Sequence, residues 1–140
     1  MTYFKNVCII PAKLNSTRLR HKNILKLGKK SLLEHTIKKA INAKLFDKII
    51  VNTESEKIIK KLKIYKKIEI IKRPNYLSKD PYTISDIVLF SLSKLKQRGV
   101  YFKYSSVLLP TSPFFLVDDI LKAFKLFIKK KPNFLISVSK

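Results

Sequence analysis

Between Ile9 and Asn23 the sequence IIPAKLNSTRLRHKN passes from an apolar run into a loop that carries Lys13, Arg18, Arg20 and Lys22, interleaved with Asn15, Ser16 and Thr17, and contains no acid. Mobile cations, hydroxyls and backbone N–H groups gathered past a buried strand are suited to surrounding a polyphosphate, because each Lys or Arg adds a charge-assisted hydrogen bond. The stretch is neither a P-loop nor a dinucleotide fingerprint, since it lacks both the glycines and a G-K-[ST] ending. A solvated surface loop in a basic chain accounts for the charge equally well.

Two further loops carry polar groups. In RPNYLSKD, Arg73 is one of only four arginines in the chain. Where Lys fills ordinary surface positions, a retained guanidinium points to planar, bidentate recognition such as a base edge; the alternative is an Arg that holds its own loop through backbone carbonyls. In LLPTSPFF, Thr111 and Ser112 sit between two prolines, where rigid hydroxyls could orient a polyol and a plain turn is the competing reading. His21 and His35 are too few for a zinc cluster or a nucleophilic triad. The acids Glu54, Glu56, Asp80 and Asp86 are dispersed, and Asp118 and Asp119 read as partners of a helix dipole.

The elements that would position these loops alternate. Phe4–Ala12 reads as a strand buried on both faces. Ser31 and Glu34 have capping-box spacing ahead of a helix whose apolar face is Leu33, Ile37, Ala40, Ile41 and Leu45, ending near Phe46. Asp47–Thr53 is a second strand, followed by a Lys-rich helix with Ile58, Ile59 and Leu62 inward, and Ile68–Ile71 is a third. Thr83 and Asp86 cap a helix over Ile84–Arg98, with Ile87, Val88, Phe90, Leu92 and Leu95 inward and Gly99 as its stop. Ser106–Leu109 is expected as a fourth strand, a helix runs from Asp118 to about Lys131, and Phe134–Val138 is expected as a fifth strand. This alternation predicts one domain over residues 1–140, a three-layer α/β sheet with right-handed crossovers. Ending on a strand with no covering helix, it has the look of a fragment.

The formal charge is +22, with 31 basic and nine acidic residues. That balance suggests a polyanion partner, but the cations are spread over the polar faces of helices and nearly all are Lys, which argues for compositional drift over a nucleic-acid site. The single Cys8 lies in an apolar run and reads as a small buried hydrophobe. No segment approaches the ~20 apolar residues of a membrane span, and no cleavable leader is evident. A cytoplasmic, reducing setting without a membrane partner is the expectation.

Taken together and in order, IIPAKLNSTRLRHKN, LGKKSLLEHTIKKAINAKLFDKIIVNTESEKI, RPNYLSKD and LLPTSPFFLVDDILKAF resemble the acylneuraminate cytidylyltransferase (CMP-sialic acid synthetase) family. That family includes the legionaminic and pseudaminic acid cytidylyltransferases. LNSTRL is also similar to the start of CMP-Kdo synthetases and of a spore-coat polysaccharide group. The resemblance implies a Rossmann-like nucleotidyltransferase fold with a mostly parallel central sheet, truncated at its C-terminus. It implies Mg²⁺-dependent transfer of CMP from CTP to an acidic nine-carbon, nonulosonic sugar, with release of pyrophosphate, for surface-glycan synthesis.

By position, the resemblance makes Lys13, which replaces a motif arginine, and Lys22 the catalytic cations. Leu14, Asn15, Ser16 and Asn23 fall in the nucleotide loop, Arg73 on the cytosine side, and Thr83 and Ser85 where a loop closes on the nucleoside. Thr111 and Ser112 fall to the sugar. Where the family usually reads LQPTSPLR, Leu109 stands for a glutamine and Phe115 for an arginine. The family's metal-binding aspartates and dimerisation segment have no counterpart before Lys140, so the resemblance leaves the metal ligands unassigned and implies a homodimer only with that segment. The alternatives are a non-catalytic basic domain for nucleic acid or acidic polymer, and a nucleotidyl-sugar enzyme with a different base or sugar.

Overall fold

The computed structural model describes residues 1–14 and 21–138. Its centre is β1 (Thr2–Pro11), whose residues from Asn6 to Pro11 are all buried. Such a strand needs apolar side chains on both faces, and VCII supplies them. Cys8 and Ile10 join Ile49 and Val51 of β4 (Lys48–Thr53) on one face. There they meet Leu33, Ile37 and Ala40 of α1 (Leu32–Asn42) and Ile58 and Leu62 of α2 (Glu56–Leu62). Val7 and Ile9 join Ile50 of β4 and Ile71 of β5 (Glu69–Lys72) on the other, where Leu95 of α3 (Ile84–Gln97) covers them. Each fully buried Ile or Val contributes roughly 1.5–3 kcal/mol. The three-layer expectation therefore holds, as does the burial of Cys8, whose thiol pKa is pushed far up by desolvation.

With β6 at Val100–Val107, the four-stranded sheet has the order β5-β4-β1-β6, every pair parallel. From β1 the chain steps to β4 and β5 on one side, and α3 then carries it back to β6 (Val100–Val107) on the other. Two residues each form the small hairpin of β2 (Lys26–Leu27) and β3 (Lys30–Ser31) ahead of α1. Helix α4 (Val117–Lys130) closes the described elements and reaches β6 through Tyr104, which meets Phe124 and Phe127 edge-on.

The local signals for helix ends are realised. The Ser31 N–H donates to Glu34 Oε2 at 2.7 Å and the Ser31 hydroxyl accepts from the Glu34 N–H at 3.2 Å. The Thr83 N–H and hydroxyl both donate to Asp86 Oδ2, at 2.7 and 2.8 Å. Gly99, at φ 73°, ends α3 in a conformation only glycine adopts without strain, and its carbonyl accepts from the Thr2 N–H where β1 begins.

Three expectations need correction. Helix α1 stops at Asn42, short of Phe46, because Lys44 turns left-handed (φ 50°) to let β4 start opposite Val7. The strand expected at Ser106–Leu109 begins earlier, at Val100, and ends at Val107. Its register runs from Thr2↔Val100 to Ile9↔Val107, and as the outer strand of this sheet it needs only alternate positions covered, which YFKYSSV provides. Phe134–Val138 forms no strand. It has no pairing partner among the described residues, and Phe134, Ile136 and Val138 are 74%, 72% and 88% exposed.

Candidate functional site

Because the strands are parallel, the loops after β1, β4, β5 and β6 all leave from one edge of the sheet. The direction of strand order reverses at β1, and in open α/β sheets the crevice outside the carboxyl ends at such a reversal is where ligands bind. In this sheet that position falls between the carboxyl ends of β1 and β6, from which Lys13–Leu14 and LLPTSPFF lead away. Backbone bonds extend the pairing of β1 past its end on both sides: Ala12 N–H donates to the Asn52 carbonyl of β4 at 2.9 Å, and Leu108 N–H, just after β6, to the Ile9 carbonyl at 3.1 Å.

The stem of the first loop is held from both sides. Asn23, 4% exposed, sits in a short 3-10 turn (Lys22–Ile24) and donates from Nδ2 to the Lys13 carbonyl at 2.7 Å. Its neighbour in the stem, Leu14, donates its N–H to Glu54 Oε1 at 2.9 Å and packs its side chain against the core. Lys13 and Lys22 are half-buried. The structure thus brings together Lys13, Leu14, Lys22 and Asn23. Asn15 and Ser16 lie outside the described residues.

Arg73 is only 2% exposed. Its Nε donates to Ser78 Oγ at 2.9 Å, its Nη1 donates at 2.8 Å to both the carbonyl and Oδ1 of Asn52, and its Nη2 meets Glu54 Oε2 at 2.9 Å. Burial lowers the guanidinium's pKa from its ordinary value, and the Glu54 carboxylate opposes that shift. Four of its five N–H groups are thereby used within the protein. These contacts tie the loop after β5 to β4 and to Glu54, which follows it. The network continues inward: Asn52 Nδ2 donates to Ser91 Oγ at 2.8 Å, and Ser91 donates to the Ile87 carbonyl of α3 at 2.9 Å.

Thr83 and Ser85 are exposed at the start of α3, with the Thr83 hydroxyl engaged in its cap. Thr111 and Ser112 are exposed on the other side of β1, in a turn closed by the Ser112 N–H on the Leu109 carbonyl at 3.1 Å. That turn is tied to α1 by Lys39, whose ammonium donates to the Pro113 carbonyl and lies 4.5 Å from the centre of the Phe115 ring. Desolvation there lowers the Lys39 pKa.

Sequence reasoning passed over Glu54, Asn52 and Lys39. Glu54 directly follows β4 at the carboxyl edge, and Asn52 is a buried amide directly after the apolar run Ile49–Val51 of that strand, so both carried a signal. Lys39 carried none, being one Lys among many on helix faces.

No group of three or more His, Cys, Asp and Glu side chains is gathered among the described residues. Glu54, the carboxylate that meets the first loop, already accepts from Leu14, Arg73 and Ser78. These residues do not fit a protein-held Mg²⁺. Among the described residues no helix is long and apolar enough to cross a membrane.

Comparison with known proteins agrees with this architecture. The chain is 29% identical over 135 residues to a pseudaminic acid cytidylyltransferase of Campylobacter jejuni, covering 96% of this chain and 58% of that protein. It is 34% identical over 125 residues to an N-acylneuraminate cytidylyltransferase of Escherichia coli O18:K1:H7, covering 88% and 28% respectively. It therefore spans little more than half the length of the first relative and less of the second. Among solved structures, a CMP:2-keto-3-deoxy-manno-octonic acid synthetase complexed with CTP superposes with a TM-score of 0.74 at 18% identity, over 91% of this chain and 49% of that one, a likeness of fold. The family model described as cytidylyltransferase matches residues 7–137, and on that match the chain belongs to the cytidylyltransferase family.

Proposed function

We propose that this chain is the nucleotide-gripping part of an enzyme that transfers CMP from CTP to a nonulosonic, sialic-type acid. The observation that carries this reading is the clamped cationic stem, Lys13–Leu14 against Lys22–Asn23, at the sheet edge where the strand order reverses. In the reaction, the sugar's anomeric hydroxyl oxygen attacks the α-phosphorus, and the bond from that phosphorus to the bridging oxygen of the β-phosphate breaks. Pyrophosphate leaves with that electron pair, and the hydroxyl proton passes to solvent or a base. Negative charge grows on the leaving group, and cations placed in advance stabilise it. Lys13 and Lys22 serve that purpose, while the Thr111 and Ser112 hydroxyls across the crevice orient the polyol.

Mg²⁺ is expected with such a triphosphate, to neutralise part of its charge, and the described residues offer it no ligand set. The proposal extends to a cytoplasmic setting, and to a homodimer wherever a longer chain supplies an assembly segment.

Titration calorimetry with CTP tests the reading. Lys22→Ala removes one charge-assisted bond and is expected to weaken CTP by roughly tenfold to a hundredfold. Equal affinity in the variant would remove Lys22 from the triphosphate site.

A further inference from the structure

The residues from Leu109 to Phe115 join β6 to α4 and carry Thr111 and Ser112, and they have little to hold themselves with. Pro110 and Pro113 supply no N–H, so two donors that could close the turn are missing. Among the described residues, the Ser112 N–H on the Leu109 carbonyl at 3.1 Å is the one backbone bond inside the stretch. The one hydrogen bond that reaches it from another element, again among the described residues, comes from Lys39 of α1. Its ammonium donates to the Pro113 carbonyl and lies 4.5 Å from the centre of the Phe115 ring.

The reach of Lys39 follows from where it stands. Thr36, Ile37 and Ala40 take the buried face of α1, which leaves Lys39 half-buried on its flank. The crossover from β1 starts α1 at the carboxyl edge of the sheet, and helical side chains lean back toward their own N-terminus, so a long stem here carries its charged end toward the turn. The face of an aromatic ring attracts a cation. The ammonium is drawn partly out of water by these contacts, and its pKa falls accordingly. α4, into which the turn leads, is also in contact with α1. A Lys engaged by a carbonyl and a ring fixes the turn, whereas Thr111 and Ser112 remain exposed beside it.

Resting on the sugar-facing role given to Thr111 and Ser112 above, we infer that Lys39, together with Phe115, is a positioning residue that holds their turn in place for an acidic sugar. The pair acts on the sugar side of the crevice alone, because CTP is assigned to Lys13–Leu14 and Lys22–Asn23. Losing the tether therefore loosens the Ser112 amide, weakens the sugar and spares CTP.

The experiment compares the wild-type chain with Lys39→Met, Lys39→Arg and Phe115→Leu by amide hydrogen exchange at Ser112, calorimetric affinity for CTP, and affinity for N-acetylneuraminate from NMR shift titration. Lys39→Met keeps the stem and removes the donor. It is expected to quicken Ser112 exchange and weaken the sugar by roughly tenfold each, with CTP unchanged. Lys39→Arg restores a cation and a donor and is expected to return both toward wild type. Phe115→Leu keeps apolar bulk without the ring face, and a shift of roughly two- to fivefold in the same direction is expected.

Unchanged Ser112 exchange in Lys39→Met would overturn the inference. So would an equal fall in sugar and CTP affinity, the mark of general disruption at the crevice, or quickened exchange with both affinities intact, the mark of a tether that is structural only. If Lys39→Met does not fold, Phe115→Leu decides: wild-type exchange together with wild-type sugar affinity would overturn the inference. A wild-type chain that binds CTP but not N-acetylneuraminate would remove the sugar role of the turn and the positioning role of Lys39 with it, and one that binds neither would sink the function proposed above. Exchange at Ser112 needs no ligand, so it reports on the tether separately from both.

Discussion

Asn52 is fully buried in the middle of the site's scaffold, and every polar atom of its side chain is engaged: Oδ1 by Arg73, Nδ2 by Ser91. Its carbonyl also accepts from both Ala12 and Arg73, joining β1 to the loop after β5. Replacing it by Ala would strand a guanidinium N–H in a place water does not reach and take from the Ser91 oxygen the donor it accepts, while the Ser91 hydroxyl keeps its bond to the Ile87 carbonyl. Leaving buried groups unpaired costs about 1–3 kcal/mol for a neutral group and more for a charged one. Asn52→Ala is therefore expected to lose about 2–4 kcal/mol of stability, read as a lower urea midpoint with an unchanged slope; a loss below about 1 kcal/mol would mean the network repacks around the gap. Part of this was visible in the sequence. The scarcity of Arg marked Arg73 as unusual, and the Asn in KIIVNT cuts short the apolar run Ile49–Val51. What the sequence could not give was direction. Whether a guanidinium turns inward or toward a ligand depends on partners from other elements, here Asn52, Glu54 and Ser78, and nothing local specifies that meeting.

Helix ends were legible for the opposite reason, since their determinants lie within one turn. Ser31 with Glu34 and Thr83 with Asp86 form the caps that their spacing implies. The strands were legible where buried on both faces, as in β1 and β4, and misplaced where they were not: β6 carries its apolar residues sparsely, and the denser run at Phe134–Val138 pairs with nothing described. Apolar density reports burial, whereas pairing is decided by a neighbour remote in sequence. The α1 cap also yields a pH prediction. Burial pushes the Glu34 pKa up, but hydrogen bonds from Ser31 and from the Tyr65 hydroxyl, the latter at 3.1 Å, outweigh it and hold the carboxyl below its ordinary value. A depressed carboxyl stabilises the fold fully above its unfolded pKa, and loses that contribution as pH falls through the folded one. Glu34→Gln is therefore expected to lower the melting temperature at neutral pH, with the gap to wild type closing below about pH 4. Melting curves across that range check it, and a gap constant with pH would show that the carboxylate's charge has no part in the cap.

At the scale of the molecule the dominant quantity is charge. With nine acids against 31 cations, most lysines have no acid to pair with, and the observed pairs are mainly surface contacts, such as Lys48–Glu69, Arg98–Glu69 and Lys72–Glu56. A fold with a net charge of +22 repels itself, and that repulsion opposes compaction. Salt relieves it, because the screening length falls from about 30 Å at 0.01 M to about 8 Å at 0.15 M. Raising salt over that range is thus expected to increase the melting temperature, the reverse of what a fold held by surface ion pairs would show. The same titration separates a nucleotide site from a general polyanion surface. A spread of lysines gripping nucleic acid or acidic polymer releases many counterions, and its affinity collapses steeply with salt. A crevice with two or three cations on one triphosphate releases few, so CTP is expected to weaken far less over the same range and to stay preferred over GTP throughout. Binding isotherms for CTP, GTP and a single-stranded polynucleotide at each salt concentration distinguish the two. If CTP follows the polymer's slope and GTP binds as well as CTP, then the loop after β1 is only part of the lysine surface, and the case for a cytidine nucleotide site in this chain fails.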